Sequence, residues 1–183
     1  TNNEQVADRL KKLRHHGMKT VPEKGMWFHE MEELGYNYRL TDIQCALGIS
    51  QLSKLNKFLE RRAELVALYD GLFSNAPTAL QTPKRISNEF VGWHLYALRI
   101  NFADAGTTRQ DFMQKLKDKN IGTQVHYIPV HTQPYYVDLY GKQDLPGAQH
   151  YYESTLSIPL YPTLSNDNAK YVAETIINAL QEA

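Results

Sequence analysis

Apolar side chains recur along this chain at helical spacing in some stretches and at strand spacing in others, and the breaks between them are marked by Gly and Pro. Asn3 or Asn2 is placed to cap a first helix. Glu4 lies in its first turn, Val6, Leu10 and Leu13 form one stripe, and Lys11, Lys12 and Arg14 sit near the end that Gly17 closes. Residues 18–34 are polar, interrupted by Pro22 and Gly25, and read as an irregular connection that is long for a compact domain. Thr41 with Gln44 three residues on is a capping box. Behind it Ile43, Leu47, Leu52, Leu55, Leu59, Val66, Tyr69 and Phe73 keep helical period to about residue 74, which predicts one helix of roughly 50 Å. A helix of that length joins lobes or lies along a partner subunit.

After Pro77 and Pro83 the pattern shortens. "WHLYALRIN" reads as a strand, and Thr108 with Asp111 opens a helix carrying Phe112, Met113 and Leu116. "IGTQVHYIPV" reads as a second strand entered through Gly122, and "LPGAQHYYESTL" as a helix led by Pro146. "SIPLYP" reads as a short strand or extended turn, and "SNDNAKYVAETIINALQ" as a last amphipathic helix capped by Ser165. Alternation of this kind over about 100 residues is the signature of an α+β domain.

The 183 residues carry 20 Lys+Arg against 20 Asp+Glu, so there is no basic excess of the sort a nucleic-acid surface needs. No run of about 18 apolar residues is present, and the expectation is of a protein that does not cross a membrane. One cysteine, Cys45, excludes an internal disulfide and fits a reducing, cytoplasmic setting. Its place on the apolar start of a helix suggests a buried structural thiol. The seven histidines include His15 beside His16, and His126 five residues before His131. Neither spacing puts two imidazoles on one helical face, so no zinc site is expected. No Gly-rich phosphate loop is present.

Two stretches carry candidate chemistry. In "GYNYRLTDIQCALG", Asn37 offers an amide and Arg39 a planar fork suited to phosphate, two residues before a helix N-terminus. Either this loop grips an anion, or Arg39 pairs with a carboxylate such as Asp42. In "VHYIPVHTQPYY", Tyr and His side chains give flat faces with polar tips, which suits the wall of a sugar or base pocket. The same residues also suit the amphipathic edge of a core.

The stretch "ELGYNYRLTDIQCALGISQLSKLNKFLERRAELVALYDGLF" resembles the segment joining the two domains of DegT-type nucleotide-sugar aminotransferases, pyridoxal-phosphate enzymes of the aspartate aminotransferase fold. In the family's order, "VADRLKKLRHHG" resembles a helix ending in an Arg-x-His-Gly-type signature, "IGTQVHYIPVHTQPYY" a substrate-facing strand, and "LPGAQHYYESTLSIPLYP" a late helix and strand. Within the family the pattern through Cys45-Ala-Leu-Gly, together with "QVHY", is most similar to enzymes that aminate a UDP-linked 4-keto-6-deoxy N-acetylhexosamine on the pseudaminic acid route.

The resemblance implies an α/β fold of the type I pyridoxal-phosphate transferases. Residues 1–40 would be the tail of the large cofactor-binding domain, 41–76 a long connecting helix and 77–183 the small C-terminal domain. It implies pyridoxal 5'-phosphate as cofactor, glutamate as amino donor, a homodimer, cofactor-phosphate contacts from Asn37 and Arg39 across the dimer, and substrate contacts from Tyr38, His126 and Tyr127. The family's cofactor-anchoring lysine lies in a Ser-x-His-x-x-Lys segment upstream of a "TN" dipeptide, and this chain begins with that dipeptide. The expectation is a C-terminal portion that is inactive alone. Two other functions remain open at this point: a sugar dehydratase of the same superfamily, in which histidine replaces the lysine, and a non-catalytic module that binds a nucleotide sugar or supports dimerisation.

Overall fold

The structure, a computed structural model, describes residues 1–85 and 91–181. The chain divides into two compact units, Thr1–Lys54 and Leu55–Ala183.

In the first unit α1 spans Glu4–Arg14, and the Asn3 side chain accepts from the Val6 N–H as its cap. Residues 18–34 hold a hairpin where the sequence suggested an irregular connection. Strand β1 (Met18–Thr20) pairs antiparallel with β2 (His29–Met31), and Lys19 stands opposite Glu30. A single turn of 3-10 helix at Pro22–Lys24 starts the reversal. All three residues of β2 are exposed, so neither hairpin face produces the apolar alternation by which a strand is recognised. Ion pairs from Lys12 to Glu32 (2.5 Å) and from Arg9 to Glu33 (3.1 Å) tie α1 to the segment after β2. The pairing lowers the pKa of the Glu32 carboxyl and raises that of Lys12.

Helix α2 (Asp42–Leu52) carries the expected capping box at Thr41 and Gln44. The single long helix expected from residue 41 is instead two, because helical bonding is interrupted at residues 53–54. There the Lys54 N–H turns to Gln51 O, a tightened three-residue closure, and the Ser53 hydroxyl donates back to Ser50 O. Cys45 is exposed, not buried, since α2 contributes no residue to a core.

The second unit starts with α3 (Leu55–Leu72). Its core is built from Leu65, Val66 and Tyr69 of α3 together with Phe73 and the inward positions of a three-stranded antiparallel sheet. The order is β3 (Leu80–Gln81), β4 (Tyr96–Ile100), β5 (Thr155–Ile158), with Ala97 opposite Ser157 and Arg99 opposite Thr155. Alternate β4 residues Tyr96, Leu98 and Ile100 are buried, which leaves Leu95, Ala97 and Arg99 on the other face. Because α3 supplies core residues, the compact unit begins at Leu55 and not near residue 77.

Helix α4 (Arg109–Asp118) packs Phe112 and Leu116 inward, is capped by Thr108, and is closed by Asn120 at φ +59°. Helix α5 (Pro134–Tyr140), which the sequence pattern did not indicate, and α6 (Pro146–Ser154) each begin on a proline. Residues 155–156 leave α6 and join β5, so the strand starts earlier than its sequence pattern suggested. Helix α7 (Asn166–Gln181) is capped by Ser165 and buries Ala169, Val172, Ala173 and Ile176. Arg61 of α3 fastens its start, donating to Leu164 O (2.7 Å) and to the Asn166 side chain (2.8 Å). Tyr69 donates to Pro159 O, and Tyr96 donates to Asp70; burial raises both phenol pKa values far above normal, with the Asp70 bond adding to the shift at Tyr96. Among the described residues, no helix is long and apolar enough to cross a membrane.

Candidate functional site

The loop around Asn37 is placed by backbone contact. After α1 the chain turns through His16 (φ +60°) and Gly17 (φ +69°), and the Gly17 N–H reaches back to Lys12 O (2.9 Å). A Cβ on Gly17 would sit 1.7 Å from Glu33 O, and a Cβ on Gly35 would sit 2.0 Å from Gly17 N. Only two glycines permit that approach. It lets residues 36–38 run antiparallel to the end of α1: Tyr36 N–H donates to Leu13 O (2.7 Å), His16 N–H to Tyr36 O (2.8 Å) and Tyr38 N–H to Arg14 O (3.0 Å). His15 and Asn37 thus face each other as an isolated bridge.

On this platform the Arg39 Nε donates to Asn37 Oδ1 (3.2 Å). Among the described residues Arg39 makes no ion pair, so the alternative pairing with Asp42 is not formed. The bond fixes the amide so that its Nδ2 is left as a donor beside the two terminal guanidinium nitrogens. That donor set fits a phosphate group, which needs several N–H donors and at least one fixed cation. The N-terminus of α2 adds less, since Asp42 in its own first turn already complements the helix dipole. The Tyr36 and Tyr38 rings stack at 4.8 Å and are both largely exposed, offering a flat apolar surface beside the donors.

Beneath the loop, the His15 Nδ1 is buried and without a hydrogen-bond partner. Burial, then the nearby Arg39, His16, His29 and Arg14, hold the His15 pKa below the ordinary 6.5. The neutral imidazole is therefore favoured at neutral pH in a neighbourhood that is otherwise cationic. His15, Gly17 and Gly35 were not picked out as site residues. The sequence clue was available in "RHHG" and in the glycine that opens "GYNYR".

In the second unit the strand expected over residues 121–130 does not form. Only Gln124 pairs, with Ser157, through Gln124 N–H to Ser157 O (3.1 Å) and Ser157 N–H to Gln124 O (2.8 Å). Beyond it Pro129 removes a donor and the chain coils into a 3-10 turn at Val130–Thr132. His126 Nδ1 lies 2.9 Å from Ser157 Oγ, which anchors the imidazole to β5. The Tyr127 ring meets His126 edge-on at 4.6 Å and is 72% exposed. The aromatic residues of this stretch are on the surface and not at the edge of the core. Asn37, Tyr38 and Arg39 thus lie together in one loop of the first unit, and His126 and Tyr127 together at the sheet edge of the second.

The chain is 39% identical over 191 residues to the spore coat polysaccharide biosynthesis protein SpsC of Bacillus subtilis, covering all of this chain and 49% of that protein. It is 36% identical over 182 residues to a UDP-4-amino-4,6-dideoxy-N-acetyl-beta-L-altrosamine transaminase of Campylobacter jejuni, covering all of this chain and 47% of that one. The chain spans about half the length of the curated relatives it matches. Its fold superposes on that of PseC from Helicobacter pylori, an aminotransferase of pseudaminic acid biosynthesis, with a TM-score of 0.91 at 24% identity; the match covers all of this chain and 48% of that one. Residues 1–177 match the profile of one family along nearly their whole length, including the helix end, the Asn37 loop and the His126 segment, and the chain belongs to the DegT/DnrJ/EryC1/StrS aminotransferase family.

Proposed function

We propose that this chain is the C-terminal portion of a pyridoxal-phosphate-dependent aminotransferase that moves an amino group from glutamate to a 4-keto-6-deoxy nucleotide sugar, with a UDP-linked N-acetylhexosamine as the favoured substrate. In this reading residues 1–40 end the large domain, and the cofactor-anchoring lysine lies outside the chain. The observation that carries it is the Asn37–Arg39 donor set, locked onto the end of α1 in a chain of this family. The transaminase name of the Campylobacter relative and the pathway of the Helicobacter structure support the sugar class.

When bound, pyridoxal phosphate supplies the carbonyl that carries the amino group and the ring that accepts electrons while a proton moves. Asn37 and Arg39 would hold its phosphate from across a homodimer, and the Asn37–Arg39 bond orients both groups before the anion arrives. Tyr38 would contact the substrate. His126, fixed by Ser157, would present its imidazole edge to a sugar hydroxyl, and Tyr127 would lay its ring along the sugar and exclude water.

The test uses the full-length enzyme. Arg39→Ala removes a charge-assisted bond contributing roughly 1.5–3 kcal/mol, so cofactor affinity should fall by about ten- to a hundredfold by equilibrium dialysis. Truncating His126 or Tyr127 should raise the KM for the nucleotide sugar and leave the cofactor absorbance unchanged. A heterodimer of an Arg39→Ala subunit and a subunit lacking the anchoring lysine should keep one working site. No activity in it, beside an active wild-type control, would mean that the loop serves its own subunit.

A further inference from the structure

The face of the sheet turned away from the core holds a groove of about 420 Å³, within the size range of small-ligand sites. Ala97 and Arg99 of β4 and Leu95 just before it line it on one side, and Trp93, Tyr151 and Lys84 are among its other walls. Among the described residues, those that line it are neutral or cationic. Trp93 is held in place rather than left loose: Arg62 donates to its carbonyl (2.9 Å), and the Arg85 guanidinium lies over its ring at 4.7 Å. Arg85 is itself paired with Asp70 at 2.5 Å. Arg99 is steadied by a bond to Gln81, which occupies one of its terminal nitrogens and leaves the others as donors. Ala97 stands in register opposite Ser157, the residue that anchors His126. Groove and His126 therefore share one face of the sheet.

Two aromatic rings and two cations match the two ends of a nucleoside phosphate, a planar base and an anion. We propose that this groove is the subsite for the nucleotide handle of the substrate, with the base against Trp93 and Tyr151 and the phosphates on Lys84 and Arg99. The proposal rests on the nucleotide-sugar reading above. It assigns His126 and Tyr127 to the sugar and the neighbouring groove to the carrier. The short side chain of Ala97 keeps the floor open between them.

The probe is uridine 5'-monophosphate, with uridine and inorganic phosphate as controls. The chain has two tryptophans, so Trp27→Phe leaves Trp93 as sole reporter. Titration should quench Trp93, and binding should be confirmed by equilibrium dialysis. Tyr151→Ala should weaken both the nucleotide and uridine, on the order of tenfold, because it removes a stacking surface. Lys84→Gln and Arg99→Gln should each weaken the nucleotide on the order of tenfold and leave uridine unchanged. Lys84 is exposed, so its replacement does not threaten folding. Nucleotide bound in dialysis without Trp93 quenching, or with equal affinity in Lys84→Gln and Arg99→Gln, overturns the groove and leaves the nucleotide-sugar reading standing. Inorganic phosphate binding as tightly as the nucleotide overturns it as a base-recognising site. No nucleotide binding by either method overturns the groove.

Discussion

In residues 55–181 helices α3, α4 and α7 and the three-stranded sheet send apolar side chains into one core, where Leu65, Tyr69, Leu98, Phe112, Leu156 and Ile176 are fully buried. In residues 1–54 the only buried residue is Gly17. That part is ordered by other means: a capped helix, a hairpin, backbone bonds between the end of α1 and residues 36–38, and ion pairs to Glu32 and Glu33. Its apolar residues face outward, with Ile43 at 83% and Leu47 at 60% exposure on α2 and Trp27 at 78% in the hairpin. An exposed apolar surface of this extent marks a face that another body covers. In the proposed enzyme that body is the partner subunit together with the remainder of the large domain. The contrast separates two ways of holding a shape: the second unit is held by a core, and the first by backbone contacts, caps and ion pairs.

Core truncation should break the contrast most visibly. Phe112→Ala should cost about 3–5 kcal/mol in urea unfolding of this chain. Ile43→Ala should stay within about 0.5 kcal/mol, as for an exposed position. Similar losses at both positions would show that α2 is packed in solution and that the division is wrong.

Within the first unit, glycines distinguish shape from composition. Gly35→Ala forces a Cβ into Gly17 and should cost roughly 1–3 kcal/mol. The measurable sign is faster amide exchange at Tyr36 and Tyr38. Gly48→Ala lies in α2 with open space around it and should instead stabilise the helix by up to about 1 kcal/mol. Equal effects at the two sites would refute the close approach.

The smallest effect is electrostatic. His15 has a folded pKa below 6.5, so above that pH it is neutral in both folded and unfolded chains and its contribution is fully present. As the pH falls below 6.5 the unfolded chain takes up the proton first, and stability declines until the folded pKa is passed. An NMR titration should place the His15 midpoint below 6.5. Arg39→Ala should raise it without restoring it fully, because burial is the larger cause. An unchanged midpoint would separate Arg39 from the His15 environment.

Helix starts were legible wherever a side chain makes the cap: Asn3, Thr41 with Gln44, Thr108 and Ser165 act within four residues of themselves. Elements that depend on distant partners were not. The β1–β2 hairpin has no buried face to impose alternation, and the helical period runs through residues 53–54 although the hydrogen bonding does not. The apolar run after Gly122 looks like a strand, but Pro129 and the turn after it leave only Gln124 paired. Asn37 and Arg39 could be picked out because phosphate chemistry names their side-chain types. The groove beside Ala97 could not, since Lys84, Trp93, Arg99 and Tyr151 come together only when the sheet forms and α6 packs against β4.

The Gly17–Gly35 contact also sets what can be redesigned. It joins main chain to main chain, so the position of the loop is independent of the chemical identity of its tips. Residues 37 and 39 can then be exchanged like tools in a fixed holder, Asn37→Ser or Arg39→Lys to suit another anion, while the holder keeps its shape. The freedom is one-sided. In the proposed enzyme, changes at the tips would alter what is gripped, and a single methyl group at either glycine would displace the loop itself.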